Sequence, residues 1–167
     1  YTVLVLVSAT ALGAFLRLWR LDAKSLWLDE IITAERATMP LSQMFENIEA
    51  AGNQVPLYYL VTRPFASLGP QDWLVRLPAA LVGILTIPAI FLLAREMAGR
   101  RVAVVTTVLF SLFPFSIQYA QEARMYSMLM LFSTLATFFL LRATVRGAPW
   151  AWVGFAISTT LGLYASY

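Results

Sequence analysis

Arg-Leu-Pro-Ala-Ala-Leu-Val-Gly-Ile-Leu-Thr-Ile-Pro-Ala-Ile-Phe-Leu-Leu-Ala-Arg, residues 76–95, is the stretch on which the reading of this chain turns. Eighteen residues without a charge separate its two arginines. About 20 mostly apolar residues are enough to cross the hydrocarbon of a bilayer, so 74–96 predicts a membrane span. Outward from it, the sequence repeats the pattern. Uncharged runs predict further spans near 1–19, 102–120, 124–142 and 148–167. Of the 167 residues, 60% are hydrophobic and 13% charged, and mean hydropathy is +0.72. A water-soluble domain of this size is about half apolar. Lipid is therefore the expected solvent, and the expected fold is an all-α polytopic bundle.

Composition also excludes chemistry. Without cysteine or histidine there are no disulfides, no zinc sites of the usual kind, no Cys–His nucleophiles and no imidazole bases. Proton transfer falls to Asp, Glu, Lys or Tyr. The net charge of +3 is scattered over helix ends rather than gathered into a patch, which speaks against nucleic acid. Tyr1 in place of a start Met, and an apolar run that reaches the last residue, predict the N-terminal part of a longer polytopic protein.

One segment looks like a span and is not read as one. Residues 56–68 are too short, and Arg63-Pro64 interrupts them, so they predict an interfacial or re-entrant helix. Orientation comes from the short turns. Arg95, Arg100 and Arg101 mark one, and Arg142 and Arg146 another, so the positive-inside rule assigns both to the cytoplasm. By parity, the turn at 118–124 and the loop 20–73 lie outside, although Arg17, Arg20 and Lys24 dissent. That loop carries Asp22, Asp29, Glu30, Glu35, Glu46, Glu49 and Asp72, seven of the nine acidic residues. Leu41, Met44, Phe45 and Ile48 predict an amphipathic helix in it, entered by Pro40 and ended by Gly52. A weaker helix is expected from Glu30 to Met39.

Three clusters are candidates for chemistry, each with a plainer reading beside it. Asp29-Glu30 lies just past the first span. The pair either caps a helix start or supplies a general base near the interface, where partial desolvation raises a carboxylate pKa. In Gln121-Glu122-Ala123-Arg124-Met125-Tyr126, Glu122 and Arg124 are two apart and do not face each other on a helix. Arg124 then either snorkels to headgroups or points its forked donors at a phosphate. Tyr58 and Tyr59 belong either to an aromatic belt or to a binding surface. Arg76 is a helix-end anchor or a second phosphate ligand.

In order and spacing these pieces resemble the GT-C glycosyltransferases, specifically the glycosyltransferase family 39 type that includes the protein O-mannosyltransferases and the aminoarabinose transferase of lipid A. The matching elements are Leu28-Asp29-Glu30, Pro56-Leu57-Tyr58-Tyr59, Arg76-Leu77-Pro78-Ala79-Ala80, Gly99-Arg100-Arg101 and the 121–126 motif. Family members carry His-Pro-Pro-Leu-Tyr where this chain has Gln54-Val55-Pro56-Leu57-Tyr58. The resemblance implies an inverting transferase of the cell membrane, with its active site outside the cytoplasm and a polyprenyl-phosphate sugar as donor. The acceptor would be a lipid, glycan or protein. It implies Asp29 as base, Glu30 either orienting the sugar or supporting Asp29, Arg124 and Arg76 on the donor phosphate, and Gln121, Glu122, Tyr126, Tyr58 and Tyr59 on sugar or acceptor. A divalent cation (Mg or Mn) held by Asp29, Gln121 and Glu122 is the one cofactor considered. Two other classes stay open: a transporter or flippase of lipid-linked sugars, and a non-catalytic assembly subunit of the membrane.

Overall fold

The computed structural model describes residues 1–52 and 56–166. The Gln54-Val55 departure from the family pattern lies outside the described residues. Eight helices make up the described chain: α1 (Thr2–Leu18), α2 (Leu28–Thr38), α3 (Leu41–Ala51), α4 (Leu57–Ala66), α5 (Asp72–Ser111), α6 (Pro114–Ala120), α7 (Tyr126–Val145) and α8 (Trp150–Ser166). Helices α5 and α7 are long and apolar enough to cross a membrane, and α1 is a shorter apolar helix. The packing has the pattern of a membrane bundle. Small residues (Ala9, Ala79, Ala80, Ala103) fill the buried contacts, while Val3, Leu4, Leu85, Leu109 and Val153 face outward. Lipid tails solvate such a surface, and close packing over small side chains holds the helices together. Buried hydroxyls turn back on their own helices, as Thr86 does to the Val82 carbonyl at 2.9 Å and Thr107 to Ala103 at 2.7 Å.

The chain reverses inside α5 at Gly99, whose φ of 81° suits a residue without Cβ. After this reversal Arg17 contacts both halves of α5. It packs against Gly83 and donates from Nη1 to the Ser111 carbonyl at 3.2 Å.

The run 102–120, expected as one span, is divided. Pro114 cannot donate to the Phe110 carbonyl and its ring crowds it, so α5 stops at Ser111 and α6 starts at Pro114. The carbonyls released there are recovered by side chains. Ser116 Oγ donates to Phe110 at 3.2 Å, and the fully buried Arg17 reaches Ser111, Phe110 and Ser116 Oγ. The arginine that dissented from the charge rule is thus a helix cap.

In the loop region, α4 has ten residues, roughly 15 Å at 1.5 Å per residue, which is half the hydrocarbon thickness. Its Arg63 donates to the Ala37 and Met39 carbonyls and so closes the end of α2. Arg36 joins three elements by hydrogen bonds to Asn47 Oδ1 at 2.8 Å and Tyr59 Oη at 3.0 Å. The α3 stripe divides: Met44 and Ile48 are buried against Tyr59, whereas Leu41 and Phe45 are exposed.

The helices gather two kinds of turn at two ends. Gln121 Nε2 donates to Leu16 O at 2.9 Å and Trp19 O at 3.0 Å, which brings the 121–124 turn to the C-terminal end of α1. At the other end Arg146 Nε meets Glu96 Oε1 at 2.6 Å, joining the 95–101 and 142–147 turns.

Candidate functional site

Trp27 precedes α2, and Glu30 is the third residue of the helix. The Glu30 carboxylate turns back to accept the Trp27 amide on Oε2 at 3.3 Å. It also accepts Arg76 Nε on Oε1 at 2.8 Å, Arg76 Nη2 on Oε2 at 2.6 Å, and the Ala123 amide on Oε1 at 2.8 Å. Each oxygen therefore has two donors, which is its lone-pair capacity. Arg76 directs its other hydrogens to the carbonyls of Leu21 and Lys24, both at 2.7 Å, and Ser25 at 3.1 Å. All five guanidinium donors are engaged. Both residues are buried, and an ion pair survives desolvation when its remaining hydrogen-bonding groups are satisfied in this way.

The expectation that Arg76 holds a donor phosphate, with Glu30 beside the reacting centre, thus meets a pair with no free capacity. What the two residues do in this structure is join loop 21–25, α2, the start of α5 and the 121–124 turn.

Asp29 points elsewhere, since successive helical residues are about 100° apart. Its carboxylate is 35% exposed, and Oδ2 lies 3.5 Å from Arg124 Nη2. Arg124 lies over the Tyr126 ring at 5.9 Å, and its Nε is buried with no hydrogen-bond partner. Tyr58, buried with Met128 and Ala165, is within electrostatic reach of Arg124 and Glu30. Burial pushes its phenol above the ordinary range; the Thr62 hydroxyl opposes the shift, and the Glu30 charge adds to it. The hydroxyls of Tyr58 and Thr62 have no well-formed hydrogen bond among the described residues. Unsatisfied buried polar atoms are rare in native proteins and call for an explanation. Here one belongs to Arg124 itself, and the others to Tyr58, within electrostatic reach of Arg124, and to its neighbour Thr62.

On another flank of Glu30 and Arg76 opens a cleft of about 900 Å³. Gln121 and Glu122 line it, as do Trp19, Arg20, Lys24, Trp27 and Gln118. Gln121 is held through its amide nitrogen, which leaves its oxygen available, and Glu122 accepts Gln118 Nε2 at 3.1 Å. Asp29, Arg124 and Tyr58 do not line this cleft. Tyr126 packs on Tyr119 at 4.9 Å, and Tyr59 belongs to the α3–α4 contact. No group of three or more Asp or Glu side chains that could hold a metal ion comes together among the described residues.

Sequence reasoning missed Arg20 and Lys24 as cleft residues. Their signal was present, because both were among the cations that dissented from the orientation expected of the short turns. Arg20 also has a φ of 57°, uncommon for a residue other than glycine.

A sequence model of the family described as dolichyl-phosphate-mannose-protein mannosyltransferase matches residues 53–167. Neither the curated proteins nor the solved structures compared with the chain give a match. Arg76 and the 121–126 motif fall inside the matched region, whereas Asp29, Glu30, Arg20 and Lys24 precede it.

Proposed function

We propose, from the premise that this chain belongs to the dolichyl-phosphate-mannose-protein mannosyltransferase family, that it moves a sugar from a polyprenyl-phosphate donor to an acceptor hydroxyl. Membership makes it a glycosyltransferase of the mannosyltransferase type and a membrane protein. The reading adds that the chain crosses the membrane several times, that the Asp29 end faces away from the cytoplasm, and that the transfer inverts the anomeric carbon.

The observation that carries the reading is unequal capacity. Glu30 and Arg76 are saturated, while Asp29 and Arg124 keep room for other partners. An ion pair as long and as wet as theirs is worth about 0–1 kcal/mol, so a phosphate displaces Asp29 from Arg124 at small cost. Arg124 then holds the donor phosphate, and Asp29, released, accepts a proton.

In the transfer step the acceptor hydroxyl gives its proton to Asp29, and its oxygen attacks the anomeric carbon. The bond from that carbon to the phosphate oxygen breaks, and the phosphate departs with the electron pair, stabilised by Arg124. A lipid phosphate is a good leaving group, so holding its charge matters more than protonating it. Gln121, Glu122, Arg20 and Lys24 line the neighbouring cleft on another flank of Glu30 and Arg76, and the reading assigns them to parts of the sugar or acceptor away from the reacting atoms. Tyr126 supports the Arg124 guanidinium, and Tyr58 offers a hydroxyl that stays protonated at working pH.

The deciding experiment replaces Asp29 by Asn in the whole protein and measures transfer from a polyprenyl-phosphate sugar. Loss of general-base help costs about 10²–10⁴-fold in rate. Undiminished transfer would reject Asp29 as the base.

A further inference from the structure

The end of the bundle away from Asp29 holds a second cavity, and its chemistry is of another kind. It measures about 280 Å³ and is lined by Leu92, Arg95, Glu96, Phe138, Arg142 and Arg146. Three guanidinium groups face one carboxylate there. Arg146 satisfies Glu96 at 2.6 Å, which leaves Arg95 and Arg142 uncompensated.

Arg142 is preorganised by two aromatic faces. Its guanidinium carbon lies 5.6 Å from the Phe138 ring centre and 5.5 Å from that of Trp150. Its Nε is buried without a hydrogen-bond partner. A buried donor on a permanently charged group is costly to leave unmade, and an anion in the cavity would satisfy it. Arg95 is exposed and makes no hydrogen bond or ion pair with the described residues.

We infer that this cavity is a phosphate-binding site, filled by the headgroup phosphate of an anionic membrane lipid. Four features favour a lipid phosphate. The cavity sits beside the reversal of α5 at Gly99 and at the C-terminal end of the apolar helix α7. Leu92 and Phe138 give it an apolar wall beside the cations. Its volume, about nine times the ~30 Å³ share of a liquid water molecule, admits a phosphate ester with part of its headgroup. Basic pockets between membrane helices are the recurrent form of acidic headgroup recognition. The site does not depend on the sugar-transfer reading and lies at the opposite end from Asp29.

The test uses the whole protein in nanodiscs of mixed phosphatidylglycerol and phosphatidylcholine, followed by native mass spectrometry during stepwise delipidation. Wild type should retain one phosphatidylglycerol, and retention should fall at least tenfold in Arg142→Gln and in Arg95→Gln. Because Arg142 also packs on Phe138 and Trp150, its variant can fail to fold; Arg95→Gln breaks no hydrogen bond or ion pair among the described residues and decides the matter. Equal retention of the two lipids, or unchanged retention in Arg95→Gln, overturns the site. Inorganic phosphate raising the unfolding temperature as much as phosphatidylglycerol does would overturn the lipid assignment.

Discussion

Asp29 and Glu30 are adjacent in the chain, and each faces an arginine across the bundle, yet the two pairs differ in every physical respect. Glu30 and Arg76 are dry, 2.6 Å apart at their closest, and bonded at every available position. Asp29 and Arg124 are 3.5 Å apart and partly wet, and Arg124 Nε and the Tyr58 hydroxyl within its electrostatic reach lack hydrogen-bond partners. Saturation separates a carboxylate that holds a fold from one with room for another partner. A carboxylate with four donors has no lone pair left for a substrate, whereas a weakly held one can exchange its partner.

Substituting the tight pair should have the largest effect on the fold. Glu30→Gln leaves Arg76 buried beside a neutral amide that cannot satisfy the same donors, a change typically worth about 3–5 kcal/mol. Thermal unfolding of the purified protein would register it, and Asp29→Asn in the same assay should shift stability by less than about 1 kcal/mol. An equal loss in both would erase the contrast.

Arg124→Gln comes next. It should lower the transfer rate roughly 10²-fold, the scale seen when one donor to a developing negative charge is removed, with the protein still folded. Steady-state kinetics with the lipid-linked donor is the measurement.

A sharper version of the comparison replaces both members of the tight pair by apolar residues, Glu30→Leu with Arg76→Met. Such exchanges are often neutral elsewhere. Here they should not be, because the amides of Trp27 and Ala123 and the carbonyls of Leu21, Lys24 and Ser25 lose their partners. Each buried orphan costs about 1–3 kcal/mol, so the double variant should be no more stable than Glu30→Gln.

The smallest effect is expected from Tyr58→Phe. It removes a hydroxyl that lacks a well-formed bond, so stability should change by less than about 1 kcal/mol. A rise in KM alone would place that hydroxyl against substrate. Because burial holds the phenol protonated above its ordinary range, the wild-type pH profile should have no alkaline limb due to Tyr58.

Much of the architecture was legible beforehand, and the reasons are local. Hydrocarbon thickness dictates how long an apolar run must be, so 76–95 announces a helix without reference to any neighbour. Gly52 was readable as a stop for a similar reason: glycine accepts the positive φ at which a helix ends, and the structure gives it a φ of 71°. Pro114 carried an equally local signal, the loss of one amide hydrogen, although the run around it was read as a single span. Arg17 shows the limit. From sequence it was a misplaced charge at a span end, and its partners at Phe110, Ser111 and Ser116 are more than ninety residues away.

Residue order by itself determined the solvent, the helices and the kinds of side chain available for chemistry, because transfer free energy and helix geometry act over one or two turns. Which carboxylate would be spent on the scaffold and which left with free hydrogen-bonding capacity was decided only by tertiary structure. That choice depends on how many donors converge on each oxygen, and the donors to Glu30 come from positions 27, 76 and 123, brought together only by the packing of the bundle.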